Sequence, residues 1–204
     1  MAVSPEKRPY RKKERAEGEE RTRRRITEAT VALHETVGPV RTTVKAVAEK
    51  AGVQRATVYR HFADELALYT ACQEHWLARQ GPPDPEQWMA IADPEERMRA
   101  ALTGLYAFYR GGVSMLGNIL RDAPHVPALQ QVLGRREDHL GAIRQLLLRG
   151  RRERGRRRVR VVAAVGHAVD FQAWRSLAHG GLTDDEIVEL MVALARAAAH
   201  GKLP

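Results

Sequence analysis

The stretch AGVQRATVYRHF, residues 51–62, decides how this chain is read. Its last eight residues hold two Arg, a Thr, a Tyr, a His and a Phe, in a chain with only three Phe and five Tyr. A buried helix would not carry two Arg, and an ordinary surface helix would not concentrate aromatics. A small, glycine-containing break at Ala51-Gly52-Val53 precedes the cluster. Upstream, Thr42-Thr43 offers an N-cap for a short helix, VKAVAEKA. Two short helices joined by a three-residue turn predict a helix-turn-helix. The motif needs a small residue where the helices cross, a residue that accepts positive φ in the turn, and apolar residues holding the pair. Ala48, Gly52, and Val44, Val47, Val53 and Val58 fill those places.

If residues 54–62 form a recognition helix, its N-terminal residues face base edges in the major groove. These are Gln54, Arg55, Ala56 and Thr57. Arg55 can give two hydrogen bonds to guanine, and Ala56 permits close approach. Tyr59, Arg60 and His61 lie further along and suit phosphates, which position the protein without specifying sequence. Val58 and Phe62 point back to the core.

Working outward, the 204 residues divide into an arm at 1–20, a helix-turn-helix domain at 21–68 and a larger helical domain at 69–204. Ile26, Ala29, Thr30, Leu33 and Val37 keep helical spacing, so a helix over Arg21–Val37 is expected. Asp64 caps the next helix, ELALYTACQEHWLARQ. PPDPEQW reads as a loop, and Asp93-Pro94 opens a helix to about Arg110. Helices near 113–122 and from Pro127 to about Arg149 follow. VRVVAAVGHAVDFQAWRSLAH reads as one long apolar helix, and TDDE, from Thr183, as a capping box before the last. No β-alternation appears. The expected fold is all-α, with about nine helices.

The net charge of +9 is concentrated. Residues 1–25 carry +5 and RGRRERGRRRVR (149–160) carries +7, leaving −3 for the remainder. Local excess favours an anionic partner over general codon bias. The arm (Lys7, Arg8, Arg11, Lys12, Lys13) reads either as a DNA-tracking segment or as a tail adding nonspecific attraction. The 149–160 run reads as a solvated loop or, second, as an anion site. No leader-like or membrane-spanning apolar run is present, and Cys72 is the sole cysteine. A cytoplasmic, nucleoid-associated protein without membrane contact is expected. The eight His show no metal-site spacing, and neither GxGxxG nor a P-loop occurs. No enzyme, metal or cofactor is expected.

The run TTVKAVAEKAGVQRATVYRHFADELALYTAC (42–72) resembles the helix-turn-helix of TetR (tetracycline-repressor-like) transcription regulators, over about residues 22–70. The resemblance implies Thr43 near a phosphate, Tyr59 and His61 as phosphate contacts, and Arg55, Ala56 and Thr57 facing bases. Glu65 stands where the family usually has a Lys, so no backbone contact is carried over there. The resemblance also implies a homodimer through the last two helices on a near-palindromic operator, and a small-molecule effector bound in the second domain. Val162, Val165, Val169, Trp174, Leu190, Met191 and Leu194 are the apolar residues expected to serve self-association. Candidate effector contacts are Tyr106, Tyr109, Met115, Asn118, His167, Asp170, Phe171 and Trp174, aromatics with scattered polar groups. Each could instead be core. The expected function is a sequence-specific repressor released by its effector. The alternative is a DNA-binding regulator or architectural factor with no small-molecule input.

Overall fold

A computed structural model describes residues 7–200. Among them every regular element is helical: α1 (Lys7–Thr36), α2 (Val44–Ala51), α3 (Arg55–His61), α4 (Glu65–Gln80), α5 (Glu86–Met89), α6 (Pro94–Gly111), α7 (Val113–Asp122), α8 (Pro127–Leu148), α9 (Gly155–Ala168), α10 (Phe171–His179) and α11 (Asp184–His200), with 3-10 turns at Pro39–Arg41 and Ala123–His125.

The all-α expectation holds, but eleven α-helices replace the expected nine. One addition is α5, inside the expected PPDPEQW loop, where Asp84 Oδ1 accepts from the Glu86 N–H at 3.0 Å. The other comes from dividing the long apolar run. Asp170 accepts from the Ala173 N–H at 2.8 Å and caps α10, so the run breaks after Ala168. A carboxylate one turn ahead of three unpaired N–H groups outweighs helix continuation there. The arginine-rich 149–160 segment is a loop only in part, because α9 begins at Gly155.

Residues 7–20, expected as a flexible arm, continue α1. Glu, Arg, Lys and Ala are strong helix formers, and they extend a helix without an apolar face to bury. Residues 1–6 lie outside the described part.

The chain forms two compact units. The first holds residues up to Arg79 and Gly117–Val132; the second holds Gln80–Leu116 and the residues from Leu133 onward. The expected boundary at residue 68 falls inside α4. In the first unit, Ile26, Thr30 and Val31 of α1 are fully buried with Val47 and Ala48 of α2, Val58 of α3, and Leu68, Cys72 and Trp76 of α4. Leu33 is half-buried and Val37 exposed, so the α1 stripe fades toward its end. In the second unit, α6, α9 and α11 pack together around Leu102, Leu105, Val161, Val165, Ile187 and Ala195. Thr183 and Glu186 exchange the reciprocal bonds of a capping box ahead of α11.

Within the first unit, the end of α1 is gripped by residues of α7. The Asn118 amide donates to the carbonyls of His34 (2.9 Å) and Glu35 (3.0 Å). Arg121 donates to the Val37 carbonyl and forks onto Asp122. Asp122 in turn accepts from the Val40 N–H at 3.0 Å. Gly38, buried and at φ +87°, lies between these groups.

Candidate nucleic-acid interface

The α2–turn–α3 geometry follows from three local features. Thr43 Oγ1 accepts from the Ala46 N–H at 3.1 Å and starts α2. Gly52, at φ 63° and ψ 42°, ends it in the left-handed region. The Val53 N–H then bonds back to the Ala48 carbonyl at 3.0 Å, turning the chain into α3. A Cβ on Gly52 would lie 2.9 Å from Arg25 Nη2, the movable end of a long side chain, so it is the positive φ that requires glycine.

Val58 and Phe62 are 2% and 3% exposed and anchor α3, as the sequence predicts. Gln54, Arg55, Ala56, Tyr59 and Arg60 are exposed, and Thr57 is half-buried. Gln54 precedes α3 without a side-chain capping bond, so its amide is available. Among the described residues, Tyr59 is the most exposed large hydrophobic side chain, at 61%. A bulky amphipathic ring held in solvent on a seven-residue helix fits contact with a partner better than packing. His61 differs from its neighbours: it is half-buried, and its Nε2 is shielded from solvent with no hydrogen-bond partner. Glu65 is exposed in the first turn of α4, where a carboxylate favours the helix N-terminus, beside the Asp64 cap on the Ala67 N–H at 2.7 Å.

Two positioning residues escape sequence reasoning. Arg25 donates from α1 to the carbonyls of Ala51 (2.5 Å) and Gly52 (3.2 Å), the end of α2. Arg23 donates to the His61 carbonyl at 2.7 Å, the end of α3, with its guanidinium 4.2 Å from the Phe62 ring centroid. Each places a cation at a helix C-terminus, where the dipole and unpaired carbonyls favour it. Both lie in the basic start of the expected Arg21–Val37 helix, and spacing alone does not separate them from Arg21 or Arg24.

The effector candidates fall apart into three groups. Tyr106, Tyr109, Phe171 and Trp174 come together as one packed cluster in the second unit, with ring centroids 5.3–6.4 Å apart. The Tyr106 hydroxyl donates to the Ala168 carbonyl at 2.8 Å and the Tyr109 hydroxyl to that of Val169 at 2.6 Å. Burial pushes both phenols upward in pKa. The Trp174 N–H donates to Asp184, which the Arg110 guanidinium holds below the usual carboxylate range. Met115, 5% exposed, is also buried. Asn118 belongs to the first unit, with its amide engaged on α1. His167 is exposed, and Asp170 is the α10 cap, so these two do not form a buried pair.

Among the residues expected to serve self-association, Val165, Val169, Trp174 and Met191 are buried within the chain. Leu194 is half-buried, while Val162 and Leu190 are exposed at 42% and 44%. Among the described residues, no helix is long and apolar enough to cross a membrane and no group of three metal-ligating side chains occurs. The Cys72 thiol is buried and pushed up to about 12, which removes it as a nucleophile.

A left-handed glycine turn, an exposed polar row on α3 and a buried opposite face define a helix-turn-helix DNA-binding module. Residues 26–72 match the model of bacterial regulatory proteins of the tetR family. Over those residues the chain carries the DNA-binding domain of TetR-family transcription regulators. No curated protein matches it in sequence. Among solved structures, it is similar to a TetR-like transcriptional regulator from Rhodococcus sp. RHA1 (21% identity, 88% of this chain and 96% of that one, TM-score 0.61). It is also similar to a TetR transcription regulator from Haloarcula marismortui (15%, 89% and 98%, 0.55). A third is the transcriptional regulator FadR from Bacillus subtilis, in complex with stearoyl-CoA (15%, 87% and 97%, 0.57). At these identities the similarity is one of fold.

Proposed function

We propose that the protein is a cytoplasmic homodimeric repressor that reads a near-palindromic operator with α3 and leaves it when a small molecule binds the second unit. The observation that carries the DNA half is the row Gln54, Arg55, Ala56, Thr57, Tyr59 and Arg60, held outward while Val58 and Phe62 are buried. Arg55, Ala56 and Thr57 meet bases, and Thr43, Tyr59, Arg60 and His61 meet phosphates. Two copies of α3 must reach successive major grooves, ~34 Å apart. The exposed Val162 and Leu190, on the mutually packed α9 and α11, support self-association through the last helices.

The effector half draws on the stearoyl-CoA held by the similar Bacillus subtilis regulator. It also draws on the Tyr106–Tyr109–Phe171–Trp174 cluster, which an apolar ligand would have to part. The closed packing and satisfied hydroxyls of that cluster equally favour a regulator without small-molecule input.

In vitro selection of bound duplex DNA tests the operator reading. Paired half-sites one helical turn apart, or a multiple of it, are expected. Enrichment of no sequence would overturn it. Thermal shift against long-chain acyl thioesters, followed by operator release, separates the two effector readings.

A further inference from the structure

The second unit holds an open groove of about 420 Å³ lined by Gln145, Leu146, Leu148, Arg149 and Arg158. It lies where α8 ends and the arginine-rich segment begins. Eight Arg and one Glu occupy residues 149–160. Among the described residues, Arg149, Arg152, Arg154, Arg156, Arg157, Arg158 and Arg160 form no close ion pair, while Glu153 attracts Arg151. Arg154 precedes α9 and Arg156, Arg157 and Arg158 open it, with no acid in the first turn. Cations at the positive end of a helix repel both the dipole and one another, so this arrangement works against stability.

The groove walls are nevertheless fixed. Arg97 of α6, only 3% exposed, donates to the carbonyls of Leu146 (3.2 Å) and Arg149. It also donates to those of Ile91 and Ala92. Its hydrogen-bond partners are thus backbone oxygens, not carboxylates, and Asp93 is the acid whose charge acts on it. Arg151 is tied to the Leu147 carbonyl in the same turn. Buried cations with carbonyl partners hold the α8 end rigid, while Arg149 and Arg158 reach the groove with free guanidinium forks. Gln145 adds an amide able to donate. This donor set matches the oxygens of phosphate groups.

We infer that this groove binds a phosphate-bearing small molecule of nucleotide size, through Arg149 and Arg158 with Gln145 alongside. The volume suits one such group. The inference concerns the second unit alone and stands apart from operator reading by α3.

Calorimetric titration with inorganic pyrophosphate and adenosine diphosphate tests it. Two double variants each remove two positive charges: Arg149→Ala with Arg158→Ala in the groove, and Arg156→Ala with Arg157→Ala outside it. Circular dichroism checks that both fold. Wild type and the outer variant should bind the probes, and the groove variant should bind at least about tenfold more weakly. Absence of binding by folded wild type would overturn the inference. So would equal loss in both variants, which marks a diffuse field, or displacement of the probes by non-operator duplex DNA, which marks a nucleic-acid surface. Operator affinity measured on the same proteins keeps a failure here distinct from a failure of the α3 reading.

Discussion

Acid should loosen this protein through one imidazole. His34 near the end of α1 is 2% exposed, with the Tyr69 ring edge-on at 5.3 Å and Nε2 unpartnered. Burial takes its pKa from 6.5 down to about 4, against a smaller opposing pull from Asp122. In the unfolded chain the imidazole takes its proton near 6.5; in the folded chain it resists until about 4. The unfolded state therefore binds more protons between those values, and stability falls as pH falls through them. Above 6.5 the contribution is fully present. At about 1.36 kcal/mol per pKa unit, the drop approaches ~3 kcal/mol by the bottom of the window. Depressed carboxylates such as Asp122 and Asp184 act lower, below their ordinary values of 3.8. The assay is urea unfolding by circular dichroism at steps from about pH 7 to about pH 4.5, for wild type and His34→Leu. Wild type should lose stability faster, by up to ~1.4 kcal/mol per pH unit. If the two proteins lose it in parallel, the buried neutral imidazole is not the source.

Arg55→Ala should cost ~1–3 kcal/mol at the selected operator and relax base preference there, measured by fluorescence anisotropy across single-base variants. Tyr59→Phe should instead weaken every duplex by a similar factor. Arg25→Ala leaves the carbonyls of Ala51 and Gly52 without their cation and should lower stability by ~1–3 kcal/mol, read from urea midpoints. Tyr109→Phe removes the donor to Val169 in a buried setting and should cost ~1–3 kcal/mol without altering operator affinity at saturation.

The DNA-binding motif was legible because its determinants are local. Thr43 caps, Gly52 turns and Val58 buries through interactions within a few residues, which sequence order reveals. The same holds for the Thr183–Glu186 capping box. The break at Asp170 was also local, yet the surrounding apolar run hid it; an Asp followed by three helix-forming residues was the available signal. Arg23, Arg25 and Arg97 were not legible. Each reaches carbonyls 26 to 52 residues away, and charge in a sequence looks the same whether solvated or clamped. Candidate effector residues divided for the same reason. Aromatic type predicts burial, but Asn118 and His167 owe their surroundings to tertiary packing.

Gly38 carries a consequence for movement. A Cβ there would stand 2.5 Å from Asp122 Oδ2 and closer still to Arg121, so any other residue would evict the pair that holds Val40. With glycine, side chains from α7 close directly on the main chain of α1 and of the turn after it, with no compressible side-chain layer between. Packed hydrocarbon yields by rotamer changes, whereas hydrogen bonds to backbone carbonyls do not. Residues 117–122 and the last turn of α1 therefore behave as a stiff joint. Tilting one drags the other, and through Arg23 and Arg25 the pull reaches the ends of α3 and α2.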